Sequence, residues 1–203
     1  MHLNIAAVVL GVRQEVGNEL HPQVVSCLKR AKTILDGKGT HFILPLGGEG
    51  HGPTALFYPE SDLLAAHLIN EMGVERHRIL PYGSPTTTPE AIWELRGLAP
   101  LHEIYWVRIV TIEQRLERIQ FLCDLLLPHL QVSFDVVEHK VQPEERHTLR
   151  HETHLLKEAK TMLAGMEPGD AVEFCRRWSF RYHLWRDALP GMRERGELAQ
   201  LLP

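Results

Sequence analysis

The feature that most constrains this chain is a regular alternation between short apolar runs and amphipathic segments. The first run, Ile5 to Leu10, contains only apolar side chains and ends at Gly11. A strand of this kind is typical of a parallel sheet that is buried on both faces. Apolar residues then recur at helical spacing from Val24 to Leu35, and Gly37 follows. This second pattern predicts a helix that ends at the glycine.

The same alternation continues to about residue 143, with one predicted helix after each predicted strand. Parallel strands need crossover connections of this kind. The sequence therefore predicts an α/β fold, a Rossmann-like three-layer sandwich with a mostly parallel five-stranded sheet. The further predicted strands are Phe42–Leu44, Arg78–Tyr82, Glu103–Val110 and Val132–Val137, and the further helices are Glu60–Met72, Glu90–Leu98 and Leu116–Leu126.

From Glu144 onward the pattern is helical only. We expect residues 1–143 to form the Rossmann-like domain and residues 144–203 to form helices that pack on it. In this extension His147, His151, His154 and Glu158 share one face. Three imidazoles and a carboxylate could bind a divalent metal, but a solvated helix face gives the same pattern and is the interpretation that we favour.

A second stripe in the extension is aromatic and is interleaved with arginines. Such a stripe can stack on nucleobases, but it can also be buried while its arginines extend to water. We favour burial, since the net charge of −4 argues against nucleic acid. An interface in a homodimer is a further alternative. The aromatic residues are Phe174, Trp178, Tyr182 and Trp185.

Composition excludes several classes of protein. No apolar stretch is long enough to span a membrane, and the N-terminus carries no basic segment of a signal peptide. The cysteines Cys27, Cys123 and Cys175 form no closely spaced pair, which indicates reduced thiols rather than disulfides or a cysteine zinc site. We therefore expect a cytoplasmic protein that binds neither membrane nor nucleic acid.

In open parallel sheets, ligands bind beyond the carboxyl ends of the strands, near the point where strand order reverses. This rule selects the residues that follow each predicted strand. It predicts one small-molecule site from four segments: Gly11 with Arg13, Gly47 to Gly52, Ser84 to Thr88, and Thr111 to Arg118.

The segment Gly47–Gly52 contains four glycines in six residues. Backbone N–H groups of Gly11, Gly47 and Gly48 could converge on an anion, although the segment matches neither a phosphate loop nor a dinucleotide fingerprint. A flexible loop is the alternative. Within the segment, His51 could act as a general base, or it could simply be solvated.

Hydroxyls and arginines supply further candidate anion ligands. One hydroxyl of the segment Ser84–Thr88 can cap the helix that follows, and the others, with the helix N-terminus, would suit a phosphate or carboxylate. Basic side chains at the start of a helix oppose its dipole, and an anion bound between Arg115 and Arg118 would remove that conflict. We take Ser84, Thr87, Thr111 and Arg118 as predicted ligand-binding residues.

In the order of these segments the chain resembles the YdcF/SanA/ElyC-like family, over roughly its first two-thirds. The resemblance rests on a strand that ends in Leu-Gly, a second that ends in Gly-Gly, a helix that opens with a Glu and ends in Gly-Val, a Ser-x-x-Thr segment, and a strand that ends in Val-Thr with an Arg in the next helix. The corresponding residues here are Leu10-Gly11, Gly47-Gly48, Glu60, Gly73-Val74, Ser84, Thr87, Val110-Thr111 and Arg118.

The resemblance implies a Rossmann-like fold and a pocket for a nucleotide-like or phosphorylated ligand, with S-adenosylmethionine as a cofactor proposed for one branch. This chain departs from the family pattern where Cys27 replaces an Arg, Pro81 an acid, Pro89-Glu90 a Glu-Asn and Arg115 a His. We also expect it to lack the membrane anchor of the envelope-associated members.

Two functions follow as hypotheses. The first is an enzyme, a hydrolase or a transferase, that acts on an anionic small molecule. Glu60 would be its positioned carboxylate and would either orient the substrate or act as a base. The second is a non-catalytic metabolite-binding or regulatory module whose C-terminal helices engage a partner. The departures at Cys27, Pro89 and Arg115 favour the second, because they replace polar groups that the family pattern carries.

Overall fold

The computed structural model describes residues 4–11, 20–48, 59–83, 85, 87–139 and 146–179. Side chains are described for these residues except 146–150 and 179. Several predicted site and stripe residues lie outside the described part of the chain or have no described side chain. They are Arg13, Glu49, His51, Ser84, Thr86, His147, Tyr182 and Trp185.

The fold is α/β, with a parallel sheet of four strands. The strands are β1 (Asn4–Leu10), β2 (Phe42–Leu46), β3 (Ile104–Ile112) and β4 (Gln131–Val137), in the order β2-β1-β3-β4. All of the pairings are parallel. The parallel sheet predicted from the alternation is therefore confirmed.

The fifth predicted strand, Arg78–Tyr82, is not confirmed as a strand. It lies beside β2 but makes only two isolated bridges, Ile43 to Ile79 and Leu46 to Tyr82. A proline in β2 explains why the hydrogen-bond ladder to this segment is interrupted. Pro45 accepts a hydrogen bond from the Tyr82 N–H at 3.0 Å, but proline has no N–H to donate back to this segment, and the ladder cannot continue through it.

Helices cover both faces of the sheet. Helices α1 (Pro22–Asp36) and α2 (Glu60–Asn70) pack on one face, and α3 (Thr88–Leu101) and α4 (Glu113–Leu126) pack on the other. Alternate side chains of β1 enter the two apolar layers, and residues 6–10 are at most 4% exposed. Burial on both faces explains why residues 5–10 of this strand carry no polar side chain.

Two further helices, α5 (Arg146–Met162) and α6 (Ala171–Ser179), follow the sheet. Ala159, Leu163, Phe174 and Trp178 belong to the same apolar cluster as α3 and α4. Phe174 stacks on Trp93, with 4.8 Å between ring centroids. Burial of the aromatic stripe is thus confirmed for Phe174 and Trp178, and these two side chains are not free to form a homodimer interface.

The predicted helices are present, with shifted ends. Helix α1 stops at Gly37 as expected, and α2 ends two residues earlier than predicted, before Gly73 adopts a positive φ of 66°. Helix α3 begins earlier and ends later than predicted, since Thr87 caps it and it continues through Pro100. In the part of the chain that the structure describes, no helix is long and apolar enough to cross a membrane.

Candidate functional site

The strand order reverses between β1 and β3. From β1 the chain first moves to β2 on one side, and later to β3 and β4 on the other. The crevice where ligands bind in open α/β sheets therefore lies beyond the carboxyl ends of β1 and β3, at Gly11 and Thr111. We refer to the residues around these two ends as the switch-point site.

A buried carboxylate closes one side of the switch-point site. The Glu60 side chain, at the first position of α2, lies so close to Gly11 that a Cβ atom added there would be 2.0 Å from Oε2. Glu60 is only 7% exposed. Any other side chain at position 11 would therefore displace this carboxylate from its place beside β1.

The hydrogen bonds of the glycine turns correct one part of the sequence prediction. The N–H of Gly11 donates to the Leu46 carbonyl at 2.8 Å, and that of Gly47 donates to the Tyr82 carbonyl at 3.3 Å. These two N–H groups extend the sheet, so they do not supply donors for an anion. The carbonyls of Gly48 and Gly47 in turn accept from the N–H groups of Glu60 (3.1 Å) and Ser61 (2.9 Å), which fixes the start of α2.

Replacing Gly48 by alanine is expected to destabilise the chain by about 1–3 kcal/mol. The added Cβ would meet the backbone carbonyl oxygens of Gly83 and Pro85, each at 2.8 Å, and backbone atoms cannot move aside cheaply. Gly97, inside α3, is the matched control, since a Cβ there has nothing within 4 Å. Gly97→Ala should instead stabilise the chain by about 0.5–1 kcal/mol. Urea unfolding of both variants measures the difference, and equal effects would contradict the close packing.

A buried arginine lies at the centre of the switch-point site. Arg115, in the first turn of α4, is 7% exposed. It donates from Nη1 to the Leu10 carbonyl at 3.4 Å, and from Nη2 to the Gly11 carbonyl and the Thr88 hydroxyl, both at 3.3 Å. These contacts are long for hydrogen bonds to a guanidinium, so the group is held in place without strong acceptors.

A second arginine is fully paired. Arg118 donates from Nε and Nη2 to the two carboxylate oxygens of Glu152 on α5, at 2.7 and 2.9 Å. Both side chains are buried. Arg115 lies farther from the same carboxylate, with 3.7 Å between its Nε and Oε1. The sequence predicts an anion between the two arginines. For Arg118, that anion is the carboxylate of Glu152, which belongs to the chain itself.

The charge of Arg115 is destabilised where it lies. Burial, and next the nearby charge of Arg118, lowers the pKa of the Arg115 guanidinium. Glu152, Cys27 and Glu60 act in the opposite direction. The carboxylates of Glu152 and Glu60 offset part of these two costs, and a bound anion would offset more of them.

The start of α3 forms another wall of the site. The Thr87 hydroxyl accepts from the Glu90 N–H at 3.4 Å, and the Glu90 carboxylate accepts from the Thr87 N–H at 3.1 Å, which is a capping box. The other carboxylate oxygen of Glu90 accepts from the indole Nε1 of Trp178 at 3.2 Å. Capping thus accounts for the Thr87 hydroxyl, whereas Thr88 is the hydroxyl that contacts Arg115.

Two hydroxyls near the strand ends have no hydrogen-bond partner within the described residues. Thr111 at the end of β3 and Ser61 in the first turn of α2 are 2% and 0% exposed, and both Oγ atoms are unpaired. An unpaired buried hydroxyl costs free energy. A polar ligand at this edge would offer such groups a partner.

Cys27 faces this region from α1, but its thiol is not an activated nucleophile. Burial raises the pKa of Cys27 to about 11, and the charge of Arg115 only partly offsets this. We expect iodoacetamide at neutral pH to alkylate Cys27 at least about 100-fold more slowly in the native chain than in urea. Peptide mass spectrometry over time measures both rates. Native labelling as fast as that of the unfolded chain would contradict this environment.

The structure brings together Gly11, Glu60, Thr111 and Arg118, which the sequence assigns to one site, and places Thr87 beside them. Of the two arginines that the sequence singles out, Arg115 is the less satisfied, and the structure adds Glu152, which the sequence prediction misses. A signal for Glu152 exists, since it shares a helix face with the buried Ala159 and Leu163 at intervals of seven and four residues. A carboxylate on an apolar face predicts a buried cationic partner.

Metal ligands do not gather in the described part of the chain. No group of three or more His, Cys, Asp or Glu side chains there could hold a metal ion. His151 and His154 are exposed on α5.

Comparisons of the chain with protein-family models, with curated proteins and with solved structures find no match. Inference about function therefore rests on the geometry and charge of the switch-point site.

Proposed function

We propose that this chain is a cytoplasmic enzyme of Rossmann-like fold that acts on an anionic small molecule, nucleotide-like or phosphorylated, bound beyond the carboxyl ends of β1 and β3. The observation that carries the proposal is the environment of Arg115. This guanidinium is buried at the reversal of strand order, and its described acceptors are two carbonyls and a hydroxyl at 3.3–3.4 Å. A ligand phosphate or carboxylate would give it the short, charge-assisted hydrogen bonds that it lacks.

The unpaired hydroxyl of Thr111 supports the same location. It lies near the end of β3, at the reversal of strand order, and Arg115 lies in the first turn of the helix that follows. A ligand oxygen at this edge would accept from both groups, and burial would strengthen each interaction. Thr111 and Arg115 therefore form the proposed anion subsite, and Arg118 acts beside it through Glu152.

Glu60 is the carboxylate that we propose to act on the ligand. It is buried against Gly11, and its charge influences Arg115. A carboxylate in such a position can orient a ligand hydroxyl or accept a proton from it. Ionised Glu60 would accept hydrogen bonds only, so the group it contacts on the ligand should be a donor.

A ligand panel tests the enzyme hypothesis. Thermal shift with nucleotides, S-adenosylmethionine and sugar phosphates identifies binders, and product analysis on each binder then tests turnover. We expect Glu60→Gln to retain binding within about tenfold and to lose turnover by about 100-fold or more, since the amide keeps its shape but cannot take a proton. Unchanged turnover in this variant would contradict the role of Glu60.

The second candidate is a metabolite-binding module without catalysis. The protonated state of Cys27 and the complete pairing of Arg118 favour it, because neither group is then available for chemistry. Binding of a panel member without any product would support this module, and measurable product would exclude it.

A further inference from the structure

Buried charges of both signs lie around the anion subsite within the described residues. Two guanidiniums, Arg115 and Arg118, lie with the carboxylate of Glu152, and the charge of Glu60 also acts on Arg115. All four side chains belong to residues at most 9% exposed. Water therefore screens these charges poorly, and each unit of charge has a large effect on a neighbouring ion.

Glu152 is the residue that sets this balance. Its two oxygens accept from Arg118 at 2.7 and 2.9 Å, and Oε1 is also 3.7 Å from the Nε of Arg115. The positive charge of Arg118 is thereby compensated inside the chain, which leaves Arg115 as the group that can compensate a ligand. A ligand with one negative charge can pair with Arg115, whereas a second negative charge would meet the carboxylates of Glu152 and Glu60 without a further unpaired cation among the described residues of the site.

We infer that Glu152 determines the charge of the ligand, so that the switch-point site takes a singly charged anion, a phosphodiester or a carboxylate, in preference to a doubly charged phosphate monoester. This inference rests on the proposed function and narrows its ligand class. Glu152 acts through Arg118 and Arg115 and is a specificity-determining residue that does not itself need to touch the ligand. A dianion would require a second uncompensated cation. Arg118 lies nearby, but Glu152 compensates its charge.

Dimethyl phosphate and methyl phosphate test the inference directly. They are similar in size, and at pH 8 the first carries one negative charge and the second nearly two, since the second ionisation of a phosphate ester has a pKa near 6. Affinities follow from titrations observed by ¹H–¹⁵N NMR of the full chain. We expect the wild-type chain to bind dimethyl phosphate at least about tenfold more tightly than methyl phosphate.

Variants assign this preference to Glu152. Glu152→Gln removes the charge but keeps the shape, so the preference should disappear or reverse. In the double variant Arg118→Gln/Glu152→Gln both partners of the pair are neutral, and the wild-type preference should return. The double variant also keeps the test valid if Glu152→Gln alone does not fold, because it removes the charge of Arg118 together with that of Glu152. Glu117→Gln is the matched control, since it removes an exposed carboxylate paired with Lys160 on the surface and should not change the ratio.

The outcomes separate this inference from the function on which it rests. If the folded wild-type chain binds neither phosphate, the proposed anion subsite is wrong. If it binds both with equal affinity, or if Glu152→Gln keeps the wild-type ratio, the subsite stands and the role of Glu152 is overturned.

Discussion

Glu152→Ala is expected to lower the free energy of unfolding by about 3–5 kcal/mol, the largest loss that we predict for a single substitution in this site. The substitution removes the partner of Arg118, which is buried and holds Glu152 through two hydrogen bonds. Arg118 and Arg115 would then be two buried positive charges that have lost the carboxylate of Glu152. Urea denaturation followed by circular dichroism measures the loss.

Glu173 provides the control for this prediction. It pairs with two arginines on α6, Arg176 and Arg177, so the connectivity resembles that of Glu152. The side chains of Glu173, Arg177 and Arg176 are 23%, 24% and 46% exposed, so water screens these pairs better than the pair of Glu152 and Arg118. Ion pairs near the surface contribute at most about 1 kcal/mol. A loss for Glu173→Ala as large as that for Glu152→Ala would contradict the view that burial gives Glu152 its importance.

Arg115→Met is expected to weaken anion binding by about 100-fold and to leave the stability of the ligand-free chain within about 1 kcal/mol of the wild type. Methionine preserves much of the side-chain volume and removes a charge that burial and Arg118 both disfavour. The contacts that are lost are long, at 3.3–3.4 Å, so their contribution to folding is small. Thermal unfolding without ligand and titration with dimethyl phosphate measure the two effects.

These two substitutions separate a functional charge from a structural one. If Arg115→Met destabilised the chain as much as Glu152→Ala, Arg115 would be a structural member of the buried cluster. Arg115 would then contribute to folding and would not be available to bind a ligand, so the proposed function would lose its main support.

The parallel sheet could be predicted because its evidence is local. Burial of β1 on both faces leaves a run of apolar residues in the sequence, and the helices between strands leave their own periodicity. The fifth strand could not be predicted as reliably, since the interruption depends on Pro45 in the neighbouring strand. A pattern within Arg78–Tyr82 carries no information about which residue will face it across the sheet.

The site was predictable in its location but not in its internal pairing. The strand-end rule selects Gly11, Thr111 and the start of α4 without knowledge of any side-chain contact. The partner of Arg118 is Glu152, 34 residues away on a different helix, and no spacing rule connects them. The glycine pattern predicts anion donors, whereas the N–H groups of Gly11 and Gly47 extend the sheet and the missing side chains of these two residues make room for Glu60.

We propose that an anion binds to Arg115 at the reversal of strand order. The Nε–Hε signals of the arginines in a ¹H–¹⁵N NMR spectrum give the most direct test. The Arg115 signal is identified by its absence from the spectrum of Arg115→Met. On titration with dimethyl phosphate, we predict a saturable shift of the Arg115 signal and a much smaller shift of the Arg118 signal, because Glu152 already occupies Arg118. An Arg115 signal that does not move while the anion binds elsewhere, or does not bind, would contradict the claim.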